Sequence, residues 1–263
     1  MSEWQEYILE NAVERFIDYR GKTPPKTDSG IPLVTAKIVK NGSIQTPKEF
    51  ISEETYNKWM TRGFPKKNDV VLTTEAPLGE VALLKNADVA LAQRVILIRG
   101  KSGVLDNGFL KYFFQSREGQ YVLQSRASGT TVFGIKASVL KKVPIPVPSL
   151  PEQKAITAVL ASLDNKIDLL HRQNKTLEAL AQTLFRHWFI DGAEDDWDYG
   201  VIGDLFTLKR GFDLPKRKRE PGDVPIFSAS GVNGYHNEVK VKSPGITTGR
   251  SGLLGKVLGI VFV

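Results

Sequence analysis

Side chains that could bind a polyanion stand on loops throughout the first half of the chain. They are cationic, amide or hydroxyl residues in stretches rich in Gly, Pro, Asn or Ser: Arg20, Lys22, Lys26, Lys37, Lys40, Arg62, Lys66, Lys67, Gln93, Arg94, Arg126, Ser128, Thr130 and Thr131. Lysines mostly meet phosphates, whereas Arg and Gln can make paired hydrogen bonds to guanine and adenine edges. The set predicts binding of a polyanion, most simply a nucleic acid such as double-stranded DNA. For any single residue, a solvated surface charge remains the alternative.

No pattern for catalysis or metal binding accompanies this set. The chain has no cysteine, and its three histidines are far apart in sequence. The stretch 249–257 misses the phosphate-loop pattern, because five residues separate its outer glycines and Val257 stands where Ser or Thr would bind magnesium. We also find no Asn/Asp-Pro-Pro-aromatic motif for amino-group methylation and no dinucleotide glycine fingerprint. We therefore predict a recognition protein without enzymatic activity, and without a metal or cofactor of its own.

The net charge of +7 is unevenly distributed. Residues 1–150 and 200–263 are basic, whereas residues 151–199 are acidic. Basic segments favour a nucleic-acid partner, and the acidic segment between them suits a protein partner better. The sequence has no secretory signal pattern and no apolar run of the roughly 18 residues needed to span a bilayer. We expect a cytoplasmic protein with no membrane partner.

Residues 1–148 predict one domain of mixed α/β (α+β) class. Short apolar runs bounded by Gly, Pro or Asn predict strands at 12–17, 31–34, 69–74, 81–84 and 95–98. A helix is expected from Asn107 to about Gln124. Three prolines in 143–148 exclude a helix or a central strand there, so this stretch is predicted to be an extended strap.

Residues 149–192 predict one long helix with a coiled-coil seam. The helix-pairing residues follow an unbroken 4-3-4-3 spacing: Ile156, Leu160, Leu163, Ile167, Leu170, Asn174, Leu177, Ala181, Leu184 and Trp188. This heptad pattern predicts a partner helix, and a buried Asn in such a seam fixes register. Ser149-Leu150-Pro151-Glu152 predicts a capping box at the start. The alternative is an amphipathic helix that lies on its own globular domain.

Residues 193–263 repeat parts of the first domain. Arg210-Gly211 and the run 223–227 echo Arg20-Gly21 and the run 30–34, and residues 247–257 echo 73–81. Measured against the first copy, the second copy is shorter than a whole domain. We therefore predict an incomplete second recognition domain here.

These motifs resemble the specificity (S) subunits of type I restriction-modification systems. Three stretches carry the resemblance: Gly21-Lys22-Thr23-Pro24 with Gly30-Ile31-Pro32-Leu33, then 73–81, and then Leu150-Pro151-Glu152-Gln153 with the downstream helix to Trp188-Phe189. The resemblance implies two target recognition domains that each read half of an interrupted DNA site. It implies also that their long helices pack antiparallel as a ruler.

The resemblance further implies partner subunits that carry the chemistry. Two modification (M) subunits would methylate adenine with S-adenosylmethionine, and restriction (R) subunits, with ATP and Mg²⁺, would join the full complex. A chain with one complete recognition domain would pair through its helix as a homodimer. Asp164, Lys166, Arg172 and Glu178, outside the seam, are candidates for docking the modification subunits.

The predicted function is thus a DNA-binding specificity subunit that directs a type I methyltransferase and restriction complex. A scaffold that binds modification subunits without reading DNA is the alternative from another class. A stand-alone enzyme is a third hypothesis, against which the missing motifs argue.

Overall fold

The computed structural model describes residues 4–19, 23–129, 132–194, 196–249 and 257–260. Two compact units are separated at Gly192: Met1–Asp191 and Gly192–Val263. The first unit holds an α/β domain of residues up to 148, called the first domain below, and the long helix. The α/β class and the long helix agree with the sequence prediction.

Strands and helices are interspersed along the described part of the chain. The strands are β1 Gln5–Ile8, β2 Val13–Asp18, β3 Ile31–Val34, β4 Val39–Lys40, β5 Ser43–Ile44, β6 Phe50–Ile51, β7 Val70–Thr74, β8 Leu78–Leu83, β9 Ala90–Leu91, β10 Val95–Gly100, β11 Pro144–Val147, β12 Val224–Ser228, β13 Gly231–His236, β14 Gly245–Thr248 and β15 Val257–Ile260. The helices are α1 Leu9–Ala12, α2 Glu53–Trp59, α3 Asn107–Gln115, α4 Arg117–Gln124, α5 Ala137–Leu140, α6 Leu150–Arg186 and α7 Ile202–Leu205.

A four-stranded antiparallel sheet in the order β2-β10-β7-β8 forms the centre of the first domain. Successive side chains of a strand point to opposite faces, and both faces of this sheet are covered. Val70 and Leu72 pack into a core with α3 and α4, whereas Val71 packs into a second core with β3 and β9. Double coverage explains why the strand sequences are almost continuously apolar.

The helical region after β10 differs from its prediction. The expected single helix from Asn107 is broken at Ser116, which ends α3 and begins α4. The Ser116 hydroxyl accepts a hydrogen bond from the backbone N–H of Gly119, as an N-cap residue does. A Cβ on Gly119 would collide with the Phe113 carbonyl, so the tight corner between the two helices requires glycine there.

The proline-rich strap forms strand β11 and pairs only with β1, in antiparallel register from Gln5↔Val147 to Ile8↔Pro144. This placement agrees with the rule that proline is tolerated at sheet edges. The strap returns the chain to its amino-terminal strand, and α6 begins immediately after it.

Helix α6 runs from Leu150 to Arg186 and continues as a π-helical turn, His187–Asp191. The predicted capping box is wrong, because the Ser149 side chain makes no cap hydrogen bond. Glu152 instead accepts a hydrogen bond from the indole N–H of Trp4 at 3.1 Å. The carboxylate is thus used to hold the amino-terminal segment against the helix.

The second unit contains short antiparallel hairpins. Strands β12 and β13 pair with each other, as do β14 and β15. Thr247-Thr248 end β14 as Thr73-Thr74 end β7, and each of these strands pairs antiparallel with the next strand, so part of the sequence repeat is also a structural one. In the described part of the chain, no helix combines the length and apolar character that a bilayer crossing requires.

Candidate DNA-binding face and helix seam

A polar cleft of about 380 Å³ opens where β7 ends. Its lining comes from three segments that are distant in sequence: Thr74, Glu75, Gln93, Arg94, Ser128, Gly134, Ile135 and Lys136. We call it the first cleft. The structure therefore brings Gln93, Arg94 and Ser128 together, three of the residues selected from the sequence.

The far wall of the first cleft is a short loop tied back on itself. Ser128 and Gly134 exchange backbone hydrogen bonds of 2.9 and 3.1 Å, and the Ile135 N–H donates to the Thr74 carbonyl. A Cβ on Gly134 would lie 2.9 Å from the Glu75 Cβ and 3.0 Å from the Thr74 oxygen. Glycine is thus needed for the loop to approach the end of β7.

Arg94 is held in the first cleft by its backbone and by an ion pair. Its φ of 71° lies in the left-handed region, which a residue with a Cβ rarely adopts. The Arg94 Nε lies 2.7 Å from Glu75 Oε1, with both side chains about half exposed. Glu75 therefore orients an arginine, a role that explains a carboxylate in a site that otherwise suits an anionic ligand.

A second cleft, of about 590 Å³, lies around β4 and β5. It is lined by Leu33, Thr35, Lys37, Ile38, Lys40, Asn41, Gln45, Thr46, Lys48 and Glu49. Three lysines and several amide and hydroxyl groups in one cleft are suited to phosphate oxygens. Lys37 and Lys40 were selected from the sequence, and both line this cleft.

The two clefts adjoin at the same end of the central sheet. The Ala92 N–H, one residue before Gln93, donates to the carbonyl of Val34, one residue before Thr35. On the other side, the Asn41 N–H donates to Glu80 Oε2 at 2.8 Å. We call this region, the linings of both clefts together, the cleft face.

Other residues selected from the sequence border the cleft face or make hydrogen bonds elsewhere in the first domain. Lys26 lies 3.0 Å from Glu49, a residue of the second cleft, so it borders the cleft face. Arg62 is tied down, because its Nη1 donates to the Asp18 carbonyl at 2.6 Å and to Asp18 Oδ1 at 3.1 Å. Arg126 folds back on the Val122 carbonyl at the end of α4.

Two further lysines are placed away from the cleft face. Lys66 and Lys67 are exposed beside Asp69, which lies at the opposite end of β7 from Thr74. Four of the predicted residues, Arg20, Lys22, Thr130 and Thr131, lie outside the described residues. The cleft face thus joins only part of the predicted set.

Sequence reasoning missed Lys48, Lys136, Gln45 and an apolar pair at the rim. Val132 and Phe133 belong to the loop that walls the first cleft, and Phe133 is 62% exposed. An exposed aromatic ring beside a polar cleft is the kind of side chain that stacks on bases or wedges between them. In the sequence, the one indication of this contact was an apolar pair within a loop that is otherwise rich in Ser, Thr and Gly.

The long helix is fixed to the first domain mainly by a polar stripe, with one seam residue, Ile156, packed against the core. Gln153 is fully buried; its Oε1 accepts from the Asp106 N–H, and its Nε2 donates to the carbonyls of Val104 and Pro148. One turn on, the Thr157 hydroxyl donates to Asp106 Oδ1 at 2.9 Å. We call these contacts, with those of Asp164 below, the helix joint.

Asp164 completes the helix joint, and its half-exposed side chain is already paired within the chain. Its Oδ2 lies 2.6 Å from the Lys111 ammonium and accepts a hydrogen bond of 2.9 Å from the Tyr112 hydroxyl. Partial burial raises the pKa of Asp164, but hydrogen bonds from Lys111 and Tyr112 outweigh it and leave that pKa below its usual value. Burial, and then the bond to Asp164, raises the pKa of Tyr112 well above 10.

The coiled-coil seam remains uncovered over most of its length. From Ser162 to Ile190 every residue is exposed, and Ile167 has 53% of its surface open. Only the beginning differs, because Ile156 packs partly buried against the core of the first domain. Helix α6 thus lies on the first domain for its first turns only. The alternative of an amphipathic helix packed on its own domain applies to those turns and not to the rest of the helix.

Comparison with known proteins identifies the family. Residues 1–179 match the type I restriction modification DNA specificity domain. The chain belongs to this family. It is 32% identical over 208 residues to the type I restriction enzyme MjaIX specificity subunit of Methanocaldococcus jannaschii, covering 72% of this chain and 48% of that protein. It is 31% identical over 138 residues to a putative type I specificity subunit of Mycoplasma pneumoniae, covering 48% of this chain and 36% of that one.

A solved structure of this family shares the fold. The crystal structure of the type I restriction-modification S subunit from M. genitalium superposes with a TM-score of 0.61 at 19% identity, covering 97% of this chain and 68% of that chain. The chain spans less than half the length of the two sequence relatives above. The specificity-domain family therefore explains the α/β domain with its long helix.

Proposed function

We propose that this chain is a DNA-reading specificity subunit whose cleft face binds one half of an interrupted duplex site. The observation that carries the proposal is that the cleft face and the helix joint are different surfaces of the first unit. The cleft face gathers lysines, an arginine and amide groups at one end of the central sheet, whereas the buried contact of Gln153 with Asp106, where the helix joint begins, lies at the other end. The domain can therefore meet DNA without releasing the helix.

Lysines and the arginine would act differently on DNA in this proposal. Lys37, Lys40 and Lys48 neutralise phosphates, so they supply affinity that falls steeply with salt. Gln93 and Arg94, in the narrower first cleft, contact base edges and supply sequence preference. Replacing one phosphate-binding lysine should lower the slope of log affinity against log salt by about 1, without changing which sequence is preferred.

The uncovered seam is proposed to bind a second long helix in antiparallel orientation. Its spacing is a palindrome about Arg172, so an antiparallel copy aligns every seam residue with another one. In the uncovered part the facing pairs would be Leu163 with Ala181, Ile167 with Leu177, and Leu170 with Asn174. The same spacing sets Leu160 opposite Leu184, and Ile156 opposite Trp188 at the end where Ile156 already packs against the first domain. A small residue opposite a large one, as at Leu163 and Ala181, favours close packing.

The seam arrangement can be tested by cross-linking, because the chain has no cysteine of its own. A chain with Leu163→Cys, mixed with a chain with Ala181→Cys, should form a disulfide-linked dimer of the two under mild oxidation if the helices pair antiparallel. Two Leu163→Cys chains should not cross-link to each other, because their cysteines would lie about 27 Å apart along the helices. The reverse pattern would show parallel pairing.

The chemistry is assigned to partner subunits in this proposal. Two modification subunits would bind around the paired helices and use S-adenosylmethionine, and restriction subunits with ATP and Mg²⁺ would join them in the cytoplasm. Lys166, Arg172 and Glu178 remain candidates for docking the modification subunits, since all three are exposed. Asp164 is exposed as well, and any docking there would have to keep its ion pair with Lys111.

The deciding experiment is co-expression of the chain with its modification subunit in a methylation-free host, followed by sequencing of all methylated adenines. An interrupted palindrome supports two copies paired through the seam, each reading one half-site. An asymmetric interrupted site supports DNA reading but assigns the second half-site to another domain. A stable complex without methylation contradicts the proposal and supports the scaffold alternative.

A further inference from the structure

The helix joint is polar, although helices usually pack through apolar side chains. Gln153, Thr157 and Asp164 share one stripe of α6. The first two make hydrogen bonds to Asp106, the N-cap of α3, and Asp164 accepts hydrogen bonds from the middle of α3. Hydrogen bonds depend on angle as well as on distance. A joint of this kind therefore resists rotation and sliding of the helix, which apolar contacts alone resist less.

Close approach of the two helices is built into the sequence of α3. A Cβ on Gly108 would collide with the Thr157 methyl group, so glycine lets the backbones come together. Three residues later, Lys111 places its ammonium against Asp164 with only 7% of the side chain exposed. A cation this deeply buried requires an anion beside it. Asp164 is therefore needed for α3 and α6 to stay in contact.

Asp164 also marks the point where α6 leaves the domain. Beyond it, every described residue of the helix to Ile190 is exposed. The angle at which the free helix departs is thus set by the last polar contacts before that point. These contacts are the ion pair with Lys111 and the hydrogen bond from Tyr112.

We infer that the Lys111–Asp164–Tyr112 cluster is a positioning device that fixes the angle between the first domain and the helix, and through it the distance between the two half-sites. The second part of this inference rests on the proposed function; the first part concerns the angle alone. Lys111 and Tyr112 act through Asp164 and need not touch DNA.

A small rotation at the helix joint is enough to change the spacing between half-sites. Helix α6 extends from the joint as a run of exposed residues, and Lys175 lies eleven residues, or about 16 Å, beyond Asp164. A rotation of about 10° at the joint would therefore move Lys175 relative to the first domain by about 3 Å, close to the ~3.4 Å rise of one base pair. Loss of the cluster should consequently change spacer length by about one base pair while leaving the bases read in each half-site unchanged.

The angle can be measured directly on the purified full chain. Spin labels at Tyr121→Cys in α4 and Lys175→Cys in α6 report the distance between domain and helix, because no native cysteine competes. We expect one narrow distance in the parent chain. Asp164→Asn should shift or broaden it by about 3 Å, since Lys175 lies about 16 Å beyond the joint. Tyr112→Phe should have a smaller effect in the same direction.

The matched control is Asp168→Asn, which removes an exposed i,i+4 ion pair with Arg172 on the free helix. It should leave the distance unchanged. An unchanged distance in folded Asp164→Asn would overturn the inference. If Asp164→Asn does not fold, the distance measured in Tyr112→Phe decides, because this variant keeps the ion pair and removes one hydrogen bond. An unchanged distance in Tyr112→Phe would then overturn the inference.

The spacing is read from the methylation pattern of the complex. Asp164→Asn should methylate sites with the parent half-site bases and with spacers one base pair longer or shorter, whereas Asp168→Asn should keep the parent spacer. A single parent spacer in both variants would overturn the spacing part. No methylation by the parent chain would count against the proposed function, and the distance measurement would still decide the role of the joint.

Discussion

Replacing Gln153 with leucine tests whether a buried amide holds the long helix on the first domain. Leucine has nearly the same size but no polar atoms. In the parent chain the Gln153 amide accepts from the Asp106 N–H at 2.8 Å and donates to the Val104 and Pro148 carbonyls, both at 2.9 Å. Gln153→Leu leaves all three backbone groups without this partner.

The expected loss follows from how well water can replace the amide. A backbone group left unpaired away from water costs about 1–3 kcal/mol. The bond to Pro148 is fully buried, whereas those to Asp106 and Val104 are partly exposed. We therefore expect the free energy of unfolding of the first unit to fall by about 2–4 kcal/mol. For a unit of this size the melting temperature should drop by about 5–15 °C.

The measurement is urea unfolding followed by far-UV circular dichroism and by tryptophan fluorescence. Trp4 donates to Glu152 beside the substituted residue, so its emission reports on the helix joint. Gln182→Leu is the control, because Gln182 is exposed on the same helix and its replacement should change stability by less than about 0.5 kcal/mol. A Gln153→Leu chain as stable as the control would refute the reasoning.

Three further results are expected. Phe133→Ala should weaken DNA binding without changing the salt slope, because the ring carries no charge; a reduced slope in salt titrations would contradict a stacking role. Gly108→Ala should destabilise the first unit in urea unfolding, and adding Thr157→Ser should restore part of the loss by removing the methyl group that the new Cβ meets; an equally unstable double variant would contradict this. The pKa of Asp164 is lowered in the folded chain, so its contribution to stability is present above its unfolded value of about 3.8 and is lost as pH falls below it. The stability difference between the parent chain and Asp164→Asn should therefore shrink between about pH 5 and pH 2, and a constant difference would exclude the ion pair as its source.

Elements with regular spacing were predictable from the sequence. The run Ile31–Val34 was placed to the residue, and β7 and β10 to within one or two residues at their ends. Period-two and heptad patterns report burial directly, so one chain suffices to detect them. The break at Ser116 was missed, because apolar residues continue on both sides of it and only the tertiary corner at Gly119 reveals the two helices.

The cleft face was only partly predictable, because it depends on which loops meet. Gln93, Arg94 and Ser128 were selected individually, and the structure brings them together with Lys136, which sequence reasoning omitted. Arg62 has the same residue type and the same kind of loop, yet it pairs with Asp18 outside both cleft linings, whereas Arg94 pairs with Glu75 within the first cleft. Residue type alone cannot separate these two outcomes, since the partner of each arginine lies tens of residues away or on another strand end.

The helix joint and the open part of the seam use different parts of α6. At about 100° per residue, the middle of the seam lies roughly a quarter turn from the stripe of Gln153, Thr157 and Asp164. The two overlap at the start of the helix, where Ile156 packs against the first domain, whereas the seam from Leu163 onward stays exposed. Polar contacts to the domain leave the apolar residues beyond Ser162 available for the helix pairing proposed above, where burial would contribute most. A change confined to the seam beyond Ser162 should therefore alter pairing of the helices without altering the angle of the first domain, and a change confined to the joint should do the opposite.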